Sequence, residues 1–197
     1  AMIEMVIDAR RRDLGGFEVG RVLPFHARRM VGPFIFFDQM GPAEFAPGAE
    51  AINVRPHPHI GLSTLTYLFE GAIDHRDSLG TDQWIEPGAV NLMFAGHGIT
   101  HSERTDGPMR AGPHGMFGLQ TWLALPKAHE DDPAAFRHAG AEALPELEGE
   151  GKTVRLILGT AWGARVVSAV PSGEVSAAAQ IRLRFDTAVV PFGSPSL

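Results

Sequence analysis

The stretch "RPHPHIGL", Arg55 to Leu62, sets His57 and His59 two residues apart, each preceded by a proline, inside a segment whose neighbours read as extended chain. On a strand, side chains two apart share a face and lie about 6.6 Å apart along it, so both imidazoles can turn onto one ion. Proline cannot donate to a ladder and is confined to edges, strand starts and irregular places. The stretch therefore predicts two ligand histidines at a strand's entrance, with Pro56 and Pro58 fixing their pitch; the competing reading is an exposed turn with solvated histidines. Downstream, "GHGITHSERT" repeats the spacing with His101 and Glu103. Two same-face pairs would supply three neutral nitrogens and one carboxylate, leaving one or two positions of an octahedral ion open, as in non-haem iron sites. A barrel could bring the two pairs together.

The rest of the chain fits that demand. Its 23 Gly and 15 Pro break it into short segments, which favours strands and turns over long helices. Candidate strands are "FEVGRVLP", "GPFIFFDQM", "LSTLTYLFEG", "IDHRDS", "AVNLMFAG", "ITHSERT", "FGLQTWLAL", "TVRLILGTAWG" and "IRLRFDTAVVPF". Such even spacing is that of a sandwich or barrel. The one helix expected spans 127–147, where "HEDDPAAF" offers acidic residues and a proline suited to a first turn, as an excursion from the barrel.

Composition narrows the chemistry. At 197 residues and 44% hydrophobic the chain can bury a real core, enough for one domain or one and part of a second. A formal net charge of -6 and the lack of any dense Lys/Arg cluster argue against direct nucleic-acid binding. With no cysteine, disulfides, thiolate metal sites and cysteine nucleophiles are excluded, so a metal must be held by nitrogen and oxygen. No apolar run reaches the roughly 18 residues of a membrane span, and the N-terminal residues lack a signal-peptide core, so the expected location is cytoplasmic.

"RPHPHIGLSTLTYLFEGAIDHRDSLG" followed by "IEPGAVNLMFAGHGITHSE", with "GPFIFFDQMGP" before them, resembles the signature of the pirin family, metal-binding members of the cupin superfamily. The resemblance implies an all-β, cupin-type barrel (a jelly-roll-like double-stranded β-helix) over residues 1–165. It also implies one iron(II), for which other first-row metals can substitute, held by His57, His59, His101 and Glu103. Where the general cupin motif carries a glutamate after its second histidine, Ser63 and Thr64 stand here, so Glu103 supplies the carboxylate. Residues 166–197 do not match the family's second barrel and are expected to be a separate C-terminal segment or part of a truncated barrel. An apolar flank left uncovered would favour a homodimer.

Ligand histidines usually pass their second N–H to a carboxylate, carbonyl or water. His75 and Asp77, two apart, are candidates for that role, as is His97 between two glycines. His26, His114, His129 and His138 lack a partner at ligand spacing, and Phe34, Phe36, Phe37, Phe94 and Phe117 read as core. The resemblance implies a flavonol (quercetin) 2,3-dioxygenase taking a small aromatic substrate and O₂, with Glu103 as the group that accepts the substrate's proton. The alternative is a redox-sensitive iron protein that acts through a protein partner without turnover.

Overall fold

The computed structural model describes residues 3–14, 17–105, 107–149, 152–161, 164–166 and 180–184. In chain order the strands are β1 (Ile3–Asp8), β2 (Arg10–Asp13), β3 (Glu18–Leu23), β4 (Phe34–Phe45), β5 (Asn53–His59), β6 (Leu62–Glu70), β7 (Ile73–Asp77), β8 (Asp82–Ile85) and β9 (Val90–Phe94). They continue as β10 (Ile99–Arg104), β11 (His114–Ala124), β12 (Ala135–Ala139), β13 (Glu146–Gly149), β14 (Lys152–Arg155), β15 (Gly159–Ala161), β16 (Ala164–Val166) and β17 (Gln180–Arg184). No α-helix occurs among the described residues, and hence none long and apolar enough to cross a membrane.

Two antiparallel sheets make the body of the fold. One has the order β12-β9-β6-β11-β4-β3-β2 and the other β5-β10-β7-β8. Between them lies a core in which Val19, Met40, Leu68 and Met116 of the larger sheet meet Ile73 and Ile85 of the smaller. The long strands β6 and β11 earn their central place through composition: β-branched and aromatic residues fit a pleated surface, and six of the nine β6 residues from Leu62 to Glu70 are buried, with Leu62 and Phe69 partly so and only Glu70 exposed. The outer face of the larger sheet is covered as well. Leu65, Tyr67, Val90, Leu92 and Leu123 pack there under Leu144, Leu156, Ile157 and Leu158. This is the all-β barrel that the strand spacing predicts.

Two expectations need correction. The segment 127–147 is not a helix: it turns at 127–131, forms β12, makes one 3₁₀ turn at Ala141–Ala143 and enters β13. The acidic residues that resembled a helix start serve the turn, where Lys127 pairs with Glu130 and His129 with Asp132. Pro133, Gly140 and Pro145 divide the remainder into pieces too short for a stable helix, and β12 gains more by pairing with β9. The segment is thus an edge of the larger sheet rather than an excursion. Secondly, Pro56 and Pro58 lie inside β5 rather than at its entrance. They are tolerated because β5 is an edge strand and its register with β10 shifts between His101 and Glu103, the setting in which a missing donor costs least.

Of the expected C-terminal segment, the structure describes Val166 and the backbone of β17, which pairs in parallel with β1; the remainder of 167–197 lies outside the described residues.

Candidate metal centre

Three strands of the smaller sheet carry the candidate ligands. In the ladders, β10 lies between β5 and β7, and His101 is the register partner of His57 on one side and Asp77 on the other; Glu103 is opposite His75. Directly paired residues in an antiparallel sheet point to the same face, so these side chains gather on one side. His59 joins from two residues further along β5.

The Nε2 atoms of His57, His59 and His101 form a triangle with each side 3.1 Å. His57 Nδ1–H donates to the carbonyl of Arg55 at 2.9 Å, so in the neutral ring Nε2 is the atom left with a lone pair. The triangle therefore cannot be closed by hydrogen bonds, since each N–H can aim at only one neighbour. It does fit an ion: two nitrogens bound at right angles, each about 2.1 Å from a metal, stand about 3.0 Å apart. The donor set and its spacing are those of one face of an octahedral site.

Glu103 is grouped differently. Its carboxylate lies within 4.8 Å of ring nitrogens of His75 and His101, and this second triad shares His101 with the first. The Thr66 hydroxyl donates to it at 3.3 Å and the Gln120 amide at 3.4 Å. His75 Nε2 meets Asp77 at 3.0 Å and its Nδ1 faces His101 Nδ1 at 3.4 Å. His97 is not drawn in. It is exposed on a turn, with its backbone N–H on the Asp132 carbonyl.

Burial sets the electrostatics. Desolvation, with His57 adding like charge, lowers the pKa of His59 to about 4. Desolvation and then the surrounding histidines lower that of His101 to about 2. Both rings are neutral at physiological pH, the form that ligates metal. Glu103 moves the other way: its burial raises the carboxyl pKa against the opposing pull of His75, Gln120, His57 and Thr66. For Asp77, burial pushes upward, but bonds from His75, Thr81 and Leu79 prevail and leave it below the usual range.

A cavity of about 560 Å³ opens onto His57, His59, Glu103 and Gln120, a size suited to a small-molecule ligand. Phe36 is one of its walls rather than core. It stacks on Trp122 at 4.2 Å between centroids and carries the Arg21 guanidinium at 4.5 Å on its ring. Trp122 in turn stands edge-on to His59 at 5.1 Å. Arg21 is held to buried Asp38 by two hydrogen bonds of 2.9 and 2.8 Å.

Sequence reasoning missed Arg21, Asp38, Thr66, Gln120 and Trp122, although they form one pattern. Arg21, Asp38, Gln120 and Thr66 are successive register partners across β3, β4, β11 and β6, with Phe36 and Trp122 paired one step along. A polar residue two from a tryptophan in "GLQTWLAL" was the available signal. Of the remaining histidines, His129 bonds Asp132, His138 bonds Asn91, and His114 is buried against Phe45. Phe94 and Phe117 are core.

Known proteins share this architecture. A pirin-like protein of Caulobacter vibrioides is 59% identical over 172 residues, 86% of this chain and 59% of the relative. A candidate quercetin 2,3-dioxygenase of Pseudomonas aeruginosa is 44% identical over 158 residues, 80% of this chain and 48% of the relative. The chain thus spans about half the length of the relatives it matches. Among solved structures, quercetin 2,3-dioxygenase from Acinetobacter baumannii superposes with a TM-score of 0.75 at 36% identity, covering 83% of this chain and 52% of that one. The bacterial pirin YhhW from Escherichia coli, solved in complex with nickel(II), has a TM-score of 0.55 at 20% identity over 66% of this chain and 54% of its own, a likeness of fold. The pirin family model matches residues 16–123, which contain both histidine pairs, Glu103 and the Arg21–Asp38 ion pair, and the chain belongs to the pirin family, with its cupin-type fold.

Proposed function

We propose that this chain carries the metal-binding barrel of a flavonol (quercetin) 2,3-dioxygenase, with one divalent ion, iron first, held by His57, His59, His101 and Glu103. One observation carries the reading: three imidazole Nε2 atoms stand 3.1 Å apart, two of their rings lining a cavity that a buried carboxylate also lines. The names of the Pseudomonas and Acinetobacter relatives support the substrate class.

A bound ion supplies Lewis acidity and a path for electrons. The chain's own residues do the rest. Burial holds His59 and His101 neutral, so no proton competes for their ligand nitrogens, and the Arg55 carbonyl orients the His57 ring through its Nδ1–H. Glu103 reaches the triad through His101 and closes the ligand set. It takes the flavonol 3-hydroxyl proton while Thr66 and Gln120 hold it in place. Phe36 and Trp122 offer an apolar wall to a flat aromatic ring and keep water from that side.

Iron-replete protein should consume quercetin and O₂ and release carbon monoxide, and His101→Ala should stop it. Absence of turnover at full iron occupancy would overturn the reading. It would favour the second one, a redox-sensitive iron protein acting on a protein partner, to which the Caulobacter relative's description simply as pirin-like leaves room.

A further inference from the structure

We infer that Asp77 and His75 are positioning residues that dictate which nitrogen of His101 carries its proton, and so aim the bare Nε2 of His101 at His57 and His59. The inference rests on the reading of His101 as a ligand, and it assigns work to two side chains that touch neither substrate nor ion.

The geometry runs in one direction. Asp77 is pinned first: its Oδ1 accepts the backbone N–H of Leu79 at 2.9 Å and of Thr81 at 3.1 Å. The Oδ2 that remains is an acceptor, and His75 Nε2 lies 3.0 Å from it. That nitrogen must therefore carry a proton. When the ring holds that single proton, His75 Nδ1 is bare and can only accept. It faces His101 Nδ1 at 3.4 Å, which in consequence is the protonated nitrogen of His101. The Nε2 of His101 is left with its lone pair, 3.1 Å from the Nε2 of both His57 and His59.

Burial makes the arrangement rigid. The side chains of His75 and Asp77 are 4% and 0% exposed, and the His75 ring is stacked on Phe136 with centroids 4.5 Å apart. Strand β12, which brings Phe136, thereby clamps the relay from outside. His57 reaches the same result by a shorter route, through the carbonyl of Arg55. Carboxylates and carbonyls behind ligand histidines typically change metal affinity by about 10–100-fold when removed. Here the carboxylate acts at one remove, with a second histidine between.

Two readouts test this. The first is the tautomer of His101 in metal-free protein, read from long-range ¹H–¹⁵N correlations of its ring nitrogens. Wild type should show His101 protonated at Nδ1. In Asp77→Asn the amide can donate to His75 Nε2, which moves the His75 proton to Nδ1, and His101 should switch to Nε2–H. The second readout is cobalt(II) affinity, by competition against a chromophoric chelator at fixed pH. Asp77→Asn and His75→Phe should bind about 10–100-fold more weakly. His75→Gln, whose amide oxygen can still accept from His101, should stay within about threefold. Circular dichroism confirms that each variant is folded.

An unchanged His101 tautomer in folded Asp77→Asn would overturn the inference, as would wild-type affinity in both weakening variants. Binding of two cobalt ions, of which His75→Phe loses only the second, would also overturn it, by making His75 a ligand of the second triad. If wild type binds no metal yet the tautomers behave as stated, the relay stands and the proposed function fails.

Discussion

His57 and His101 are register partners across the β5–β10 ladder and meet Nε2 to Nε2 at 3.1 Å, though 44 residues separate them in the chain. The ladder, not the loops, sets that distance, so the ligand geometry is as stiff as the sheet itself.

Loss of either partner should open the triangle. His57→Ala and His101→Ala are each expected to lower metal content after full loading and dialysis, measured by elemental analysis. Unchanged occupancy in both would refute the ligand set.

Glu103→Gln keeps the shape of the side chain and removes its charge. In the assay of quercetin consumption the variant should lose about 10²–10⁴-fold in kcat, the usual range for a proton-transfer group. A value of kcat within threefold of wild type would show that the proton goes elsewhere.

The metal-free protein should lose stability as pH falls from about 6.5 toward 4. The folded-state pKa of His59 is about 4 and that of His101 about 2, against an ordinary value of 6.5. In that window the unfolded chain binds protons that the folded chain refuses, and stability rises with pH wherever the unfolded state binds more protons. His59 alone contributes on the order of 3 kcal/mol to this loss. Glu103 acts in the opposite sense, because its raised pKa lets the folded state take a proton first, so its cost is relieved on acidification. Glu103→Gln should therefore make the acid loss steeper, and urea titrations of both forms at pH 7, 5.5 and 4.5 would show it.

Trp122→Ala should raise KM for an aromatic substrate severalfold and leave metal content nearly unchanged, since the indole touches His59 edge-on and forms cavity wall. Equal loss of metal and of substrate binding would mean that it acts through His59.

Gly96 has φ +48, and a Cβ there would lie 1.9 Å from the carbonyl oxygen of Asp132. That oxygen is backbone, so it cannot give way easily. Gly96→Ala is expected to cost about 1–3 kcal/mol or more, visible as a lowered Tm by calorimetry.

The sheet that bears the ligands was legible because its evidence is local. His57 with His59, His101 with Glu103, and His75 with Asp77 each stand two apart, and a two-residue period is the period of a strand face. The cavity wall was not legible for the opposite reason. Arg21, Asp38, Gln120 and Thr66 come from four strands, and only the register unites them. Phe36 looked like core because its neighbours are apolar, whereas its ring is spent on Trp122 and Arg21. The segment 127–147 misled because acidic residues before a proline stabilise a turn as well as a helix start. What decided between them was an open strand edge on β9, which lies far away in sequence.

The prolines of β5 have a further effect. An edge strand with a continuous row of free N–H groups is a template on which another chain can add a strand. With Pro56 and Pro58 in place, β5 has two gaps in that row within seven residues. The strand that gathers the ligand histidines is thus poorly suited to recruiting a neighbour. Replacing both prolines with valine would keep the histidine spacing but restore the row, exchanging a guarded border for one along which molecules could line up and aggregate.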